Sequence, residues 1–301
     1  MAAASRMSGI GLAVAAVALL SGVDALAKSL GMALSSFQVV FLRYAVSALF
    51  LALFVLVFVR RWPRRGFMKA HMLRGFLAAV TASLFFYGLA GMPLLMALAL
   101  AMTAPIYMAM LGALVFGERP GRFVLIALAL AVSGSALIVA AKGSGFAGPP
   151  VTLPVIAAGL AAPLAYAFTA IAMKKSSADD HPVTLSLMQT AFAALFCLPM
   201  AALLWQTPAA ALTWQIGLIG LCGALGFICL ISALARIPAS LYAVIDYSAL
   251  VWAGFYGFAF FGEIPAWPTL IGGALIVIAC VLTARDQRRP DELRTKSGLE
   301  P

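Results

Sequence analysis

Four ionisable side chains fall inside long apolar runs of this 301-residue chain: Asp24, Lys28, Arg43 and Asp246. Each costs ~2.5–3.5 kcal/mol at the centre of a membrane-crossing helix on insertion scales, so a charge kept there is a functional candidate. Asp24 and Lys28 stand one helical turn apart and can pair along a single helix. Arg43 lies ~9 Å into the next run, at 1.5 Å per residue. Two readings fit the trio: an Asp24–Lys28 or Asp24–Arg43 bridge that fixes the first two helices, or an outer gate that also anchors a charged substrate. Lys28, near a helix end, can also snorkel to the interface. The four charges sum to zero, as mutual pairing requires.

Asp246 is the sharper candidate. It sits ~12 Å from the start of its run, with Tyr242 one turn earlier and no basic residue at pairing distance in the same helix. Its partner must be elsewhere: a hydroxyl, water, a substrate amine or a coupling proton. The structural alternative is a capped carboxyl close to the interface. A polar stripe supplies further candidates, since Ser21 and Asp24 recur 145 residues later as Tyr166 and Thr169. Ser83 and Tyr87 share a helix face, and Gln189 is the lone amide of its run. Tyr107, Tyr247 and Trp252 join Tyr87, Tyr166 and Tyr242 as aromatic groups with polar handles suited to amino or ring groups. Each of these has a packing or helix-to-helix hydrogen-bonding role as its alternative.

The elements that position these residues follow from composition. The chain is 64% hydrophobic and 10% charged, with a mean hydropathy of +1.06, which leaves too little polar surface to coat a water-soluble globule. Runs of ~20 apolar residues occur at about 9–31, 37–59, 71–91, 93–116, 122–141, 153–173, 183–205, 213–234, 238–261 and 266–284. The expected class is an all-α integral membrane protein with ten transmembrane helices. The first run, with Arg6 before it and Ala25-Leu26-Ala27 near its end resembling a cleavage site, imitates a signal peptide. Its removal would leave five helices paired with four, so it is retained as a span. Cys197, Cys222, Cys229 and Cys280 lie within apolar runs at spacings of no metal or redox motif, as expected of buried thiols. Residues 286–301 form a polar tail, read as disordered. The net charge of +10 collects at run ends, without the basic aromatic face that a nucleic-acid partner requires.

The chain repeats itself. Ala104–Pro120 (APIYMAMLGALVFGERP) and Ala249–Pro265 (ALVWAGFYGFAFFGEIP) are related by 145 residues and both stop on Phe-Gly-Glu-x-Pro. Pro93 and Pro238 open the two runs. One module is used twice, over 8–141 and 153–285. Five spans is an odd number, so the copies enter the bilayer from opposite faces as two inverted five-helix repeats. With the N-terminus inside, seventeen lysines and arginines lie on the cytoplasmic side against Lys142 outside, so both termini are expected in the cytoplasm. Inverted repeats characterise secondary transporters, whose substrate site lies near the midplane. Pro105 and Pro163 fall near mid-span and are expected to kink their helices. The glycines of spans 8 and 10 allow close helix approach.

These features resemble the drug/metabolite transporter superfamily, in its ten-helix branch of two EamA modules. The resemblance covers about 8–285 and rests on Tyr87-Gly88-Leu89-Ala90, Pro93-Leu94, Ala104-Pro105, the Phe-Gly-Glu-x-Pro endings and Asp246-Tyr247. Where such proteins often carry a proline before the Asp-Tyr pair, this chain has Val244-Ile245, which puts a kink there in doubt. The resemblance implies a carrier in the cell inner membrane that exports or exchanges small metabolites, foremost amino acids, by alternating access through a central cavity. Organic-cation or multidrug export and S-adenosylmethionine-type carriage are the alternatives. A membrane-embedded enzyme would need a His, Cys or carboxylate cluster, and the histidines, His71 and His181, stand at helix ends. No cofactor or metal is expected. The expected partners are the lipid bilayer and a small-molecule substrate, with a homodimer left open.

Overall fold

A computed structural model describes residues 2–60, 68–116, 122–140, 150–175, 182–237, 242 and 245–296. The first repeat comprises α1 (Ala2–Gly31), α2 (Ser36–Phe54, continued by a π turn Val55–Val59), α3 (Met68–Ala90), α4 (Leu94–Ala101), α5 (Ala104–Phe116) and α6 (Arg122–Ala140). The second comprises α7 (Leu153–Lys175), α8 (Pro182–Leu203), α9 (Thr213–Leu234), α10 (Ala249–Phe261) and α11 (Trp267–Lys296). Among the described residues, five helices are long and apolar enough to cross a membrane, and five shorter apolar helices fall where the sequence places spans 4, 5, 6, 9 and 10. The protein is an all-α multi-pass membrane protein.

Packing repeats with the sequence. α1 lies against α9, and their repeat mates α7 and α3 lie against each other. α2 packs on α8 and α6 on α11, each pair being its own image, while α10 against α1 mirrors α5 against α7. The inversion is visible at one face. α1 ends there, at Gly31 beside Ala90, whereas its mate α7 begins there, with Val155 over Gly91. Small residues allow these crossings. A Cβ on Gly75 of α3 would stand 2.2 Å from Phe192 of α8, and one on its repeat mate Gly220 of α9 would stand 2.3 Å from Val46 of α2. Gly134 and Gly272 meet similarly: a Cβ added to either would stand 2.6 Å from the other's carbonyl oxygen. The close approach expected for spans 8 and 10 is therefore real, although Gly217 has open space around it.

One sequence expectation needs correcting. α11 continues as helix to Lys296, so the tail read as disordered is helical for most of its length. Arg74, just past the basic loop, is buried within α3. Pro163 sits inside an unbroken α7. By contrast, span 4 does break around Pro105: α4 stops at Ala101, Met102 and Thr103 form a turn, and α5 starts at Ala104. The Thr103 hydroxyl caps the stop by donating to the Leu100 carbonyl at 2.7 Å.

Candidate functional site

The same break recurs in the second repeat without a proline. Asp246 ends one helical piece, Tyr247 and Ser248 form the turn, and Ala249 starts α10. These are the positions related by 145 to Met102 and Thr103, so the kink that Val244-Ile245 put in doubt is present. Interrupted helices in the membrane are tolerated where the freed backbone groups meet protein or a wet cavity. Here they border a cavity of about 370 Å³ lined by Thr81 and Phe85 of α3, Met102, Tyr166 of α7, Asp246 and Tyr247. Both helix breaks thus open onto one space between the repeats.

Asp246 contributes its carboxylate to that cavity and forms no ion pair with any described residue. Tyr166 and Tyr242 interact electrostatically with Asp246. Tyr166 is 51% exposed, and the surface it shows faces the cavity it lines. Thr169, one turn along α7, donates to the Ala165 carbonyl at 2.9 Å and meets the Thr81 hydroxyl at 3.4 Å. Of the stripe in the second repeat, Tyr166 thus reaches the cavity and Thr169 ties α7 to α3.

A second polar set gathers between α1, α2, α3 and α8. Arg43 holds its guanidinium 5.1 Å from the ring centroids of both Tyr44 and Phe86. Arg43 acts electrostatically on the half-buried Asp24 without reaching ion-pair distance. Tyr44 donates to the Ala78 carbonyl at 3.4 Å, and Ser83 lies 4.0 Å from the Cys197 sulfur. Ser21 is buried in α1. Gln189 is half-buried on α8. Tyr107 lines a separate cavity of about 320 Å³ between α5 and α6. Tyr87 is 44% exposed and lines neither cavity. Trp252 stacks on Tyr256, itself stacked on Phe260.

Lys28 overturns the pairing read from sequence. It neither snorkels nor bridges Asp24. It is 3% exposed, and its ammonium donates to Glu263 Oε1 at 2.5 Å and to the Met92 carbonyl at 2.5 Å. The second carboxylate oxygen of Glu263 accepts from the backbone N–H of Leu94, the first residue of α4, at 2.8 Å. Phe261 covers the ammonium at 5.3 Å. The physical reason lies in how α10 ends. Gly262 takes the left-handed conformation (φ 64°), its N–H bonding to the Phe258 carbonyl and that of Glu263 to the Gly257 carbonyl at 3.0 Å each. This glycine-capped turn reverses the chain, and the bare face of Gly257, 2.9 Å from Glu263 Oε2 at its Cβ position, lets the carboxylate fold back. Glu263 is therefore carried into the bundle, joining α1, the start of α4 and the end of α10. Sequence reasoning quoted the Phe-Gly-Glu-x-Pro ending but gave its glutamate no role. The signal was a carboxylate repeated at the end of both apolar runs. The first copy's Gly117, Glu118 and Pro120 lie outside the described residues.

Nearby, the Gln38 amide donates to the Gln206 carbonyl at 2.7 Å and accepts from the Gln206 N–H at 3.0 Å, while Ser29 donates to Gln215 at 3.2 Å. This end of the bundle is tied by polar contacts across the two repeats.

A broken-helix pair around a cavity between two inverted modules is the arrangement of a secondary transporter. The chain belongs to the EamA-like transporter family, which it matches twice, over residues 7–140 and 153–285. It is 30% identical over 285 residues to the pseudopaline exporter CntI of Pseudomonas aeruginosa, covering 93% of this chain and 97% of that one. It is 24% identical over 291 residues to an S-adenosylmethionine uptake transporter of Rickettsia felis, covering 94% of each. A solved crystal structure superposes with a TM-score of 0.61 at 20% identity, covering 95% of this chain and 98% of that one, and shows the fold. The protein is a secondary transporter of small metabolites, of the drug/metabolite superfamily.

Proposed function

We propose that the protein exports or exchanges amino-acid-like metabolites across the cell inner membrane, with both termini cytoplasmic, and that Asp246 binds the cationic amine of the substrate. The observation that carries this is a carboxylate at a helix break, inside a cavity between the repeats, with no ion pair to a described residue. A charge so placed costs free energy unless a ligand or proton meets it. The hydroxyls of Tyr166 and Tyr247 flank the amine, and the Phe85 ring adds an aromatic face. The orientation rests on the concentration of lysine and arginine at the ends opposite the Lys28–Glu263 pair. Export is favoured over uptake by the greater identity to the exporter relative.

Alternating access follows from the two breaks. α5 and α10 can pivot about Met102–Thr103 and Tyr247–Ser248 while α6 and α11, locked by Gly134 and Gly272, stay as a frame. With Lys28 bonded to Glu263, α1, α4 and α10 are held together on the outer side, and this is the outward-closed state. Counterflow of labelled amino acids into proteoliposomes tests the reading. Asp246→Asn is expected to slow transport about tenfold or more, as expected when a buried charged partner is lost, with the protein still monodisperse in detergent. Full activity of that variant removes Asp246 from the mechanism.

A further inference from the structure

A cavity of about 510 Å³ lies between α1, α9 and α10 and shares no lining residue with the Asp246 cavity. Its floor is made of small side chains, Gly22 and Ala25 of α1 and Cys222 of α9, and its walls of Leu218, Tyr256 and Phe260. Along α1 the lining runs from Gly22 to Ser29, ~10 Å at 1.5 Å per residue. The cleft is therefore elongated along the helices and covers most of one leaflet, which is half of a ~30 Å hydrocarbon core. Both ends are tied. At the deep end the Tyr256 hydroxyl donates to the Ala18 carbonyl at 3.3 Å, joining α10 to α1. At the end nearer the membrane face Ser29 donates to Gln215 at 3.2 Å, joining α1 to α9.

The cleft opens toward lipid. Trp214 and Phe260 on its rim are 61% and 69% exposed, and the exposed Leu218 and Leu225 continue the same apolar face down α9. That face is continuous with the surface a membrane-crossing helix turns to the bilayer. Trp214 stands in the first turn of α9, where an indole suits the boundary between acyl chains and head groups. Water is a poor occupant, because it needs about two to four polar partners, and between the tied ends the lining is hydrocarbon apart from the Cys222 thiol. A void would forfeit packing contacts along the whole cleft. Nor does the module itself require aromatic walls: the first repeat has Lys69, Leu111 and Val115 in the places of Trp214, Tyr256 and Phe260.

We infer that this cleft binds one acyl chain of a phospholipid from the leaflet on the side of the Lys28–Glu263 pair, with the ester and head group at Ser29 and Gln215. Ser29 occupies the Gln215 amide oxygen, which leaves the amide N–H donors for an ester carbonyl. The chain lies against Phe261, the ring that also covers the Lys28 ammonium at 5.3 Å. The bound lipid thus keeps water from the ion pair on that side and forms part of the seal.

The full chain is reconstituted in vesicles of phosphatidylethanolamine and phosphatidylglycerol that hold a trace of phospholipid with a photoreactive diazirine at mid-chain. Adducts are mapped by peptide mass spectrometry. Adducts on Leu26, Leu218 and Tyr256 are expected to exceed those on Ile126 of α6 and Ile271 of α11, two exposed apolar controls, by about tenfold, the ratio one net hydrogen bond supplies. Cys222→Trp fills the cleft from α9 and should bring its adducts down to the level of the controls, which stay unchanged. Gly22→Leu fills it from α1, where the atoms nearest to a new Cβ are those of Tyr256 at 3.6 Å and beyond, and should do the same in a protein that stays monodisperse. Wild-type adducts no more frequent in the cleft than at the controls, or cleft adducts unchanged in both filled variants, overturn the inference. Adducts at the control level together with disulfide-linked dimers of a Leu218→Cys variant would give the groove to a second copy of the chain and overturn it as well.

Discussion

Removing the Glu263 charge is the most informative single perturbation of this molecule. In the described state Lys28 is almost fully buried, and its ammonium is met by the Glu263 carboxylate, the Met92 carbonyl and the Phe261 ring. Glu263→Gln keeps the shape and a hydrogen-bonding amide but takes the Glu263 carboxylate away from the buried ammonium. Breaking a buried pair in this way costs about 3–5 kcal/mol. That penalty applies where Lys28 is dry, and it is relieved once this end of the bundle opens and water reaches the ammonium. The variant should therefore shift from closed toward open by as much as 10²–10³-fold, at about 1.4 kcal/mol per factor of ten. A single cysteine at Ala25, buried in α1 and lining the cavity of about 510 Å³ between α1, α9 and α10, reports the opening in a background whose native cysteines are replaced. Labelling by a membrane-impermeant maleimide from the side that carries the Lys28–Glu263 pair should accelerate at least tenfold in Glu263→Gln. The double variant Lys28→Met with Glu263→Gln, which buries no orphan charge, should recover most of the thermal stability while remaining easier to open than wild type. Glu118 serves as the control, since the sequence has Met173 in the place related to Lys28, and Glu118→Gln should leave the labelling rate unchanged. Unchanged labelling in Glu263→Gln, accompanied only by a lower melting temperature, would show that the pair is a static staple and refute the gating argument.

The remaining predictions concern the backbone that places these groups. Gly257→Ala puts a methyl 2.9 Å from Glu263 Oε2, so it should mimic Glu263→Gln in the maleimide assay while leaving every charge in place. Gly262→Ala forces a side chain into the left-handed region at a cost of about 1–2 kcal/mol, measurable as a modest loss in thermal unfolding of detergent-purified protein. Gly272→Val should destabilise by about 1–3 kcal/mol or more through overpacking, because a Cβ at this position would stand 2.6 Å from the Gly134 carbonyl oxygen; an unchanged melting temperature would mean the α6–α11 frame is looser than described. Ser248→Pro, at the turn where the second repeat breaks, should be tolerated better than Trp252→Pro inside α10, judged by yield of monodisperse protein, because only the latter removes a donor within a continuous helix.

Much of this architecture is legible from residue order because lipid imposes a simple rule: a spanning segment must be apolar, helical and long enough. That rule, applied to runs of Leu, Ala, Val and Phe, places each span, and the recurrence of Phe-Gly-Glu-x-Pro after an odd number of spans implies the inversion. Asp246 also stands out by itself, as a carboxylate in an apolar run with no cation in its own helix. Lys28 does not yield to the same reasoning. Its neighbour one turn away, Asp24, is the obvious local partner, yet the pairing is settled 235 residues along the chain, by a left-handed glycine and a side-chain-free face that swing Glu263 inward. Nor does sequence reveal the second helix break, for no proline marks Tyr247–Ser248; only the fold, by repeating in α10 the interruption made before α5, shows that a turn is accommodated there against a cavity. Segment identity is a local property of solvation, which a string of residues records. Which charge meets which is decided by distance in the assembled bundle, and that exists only once the helices have packed.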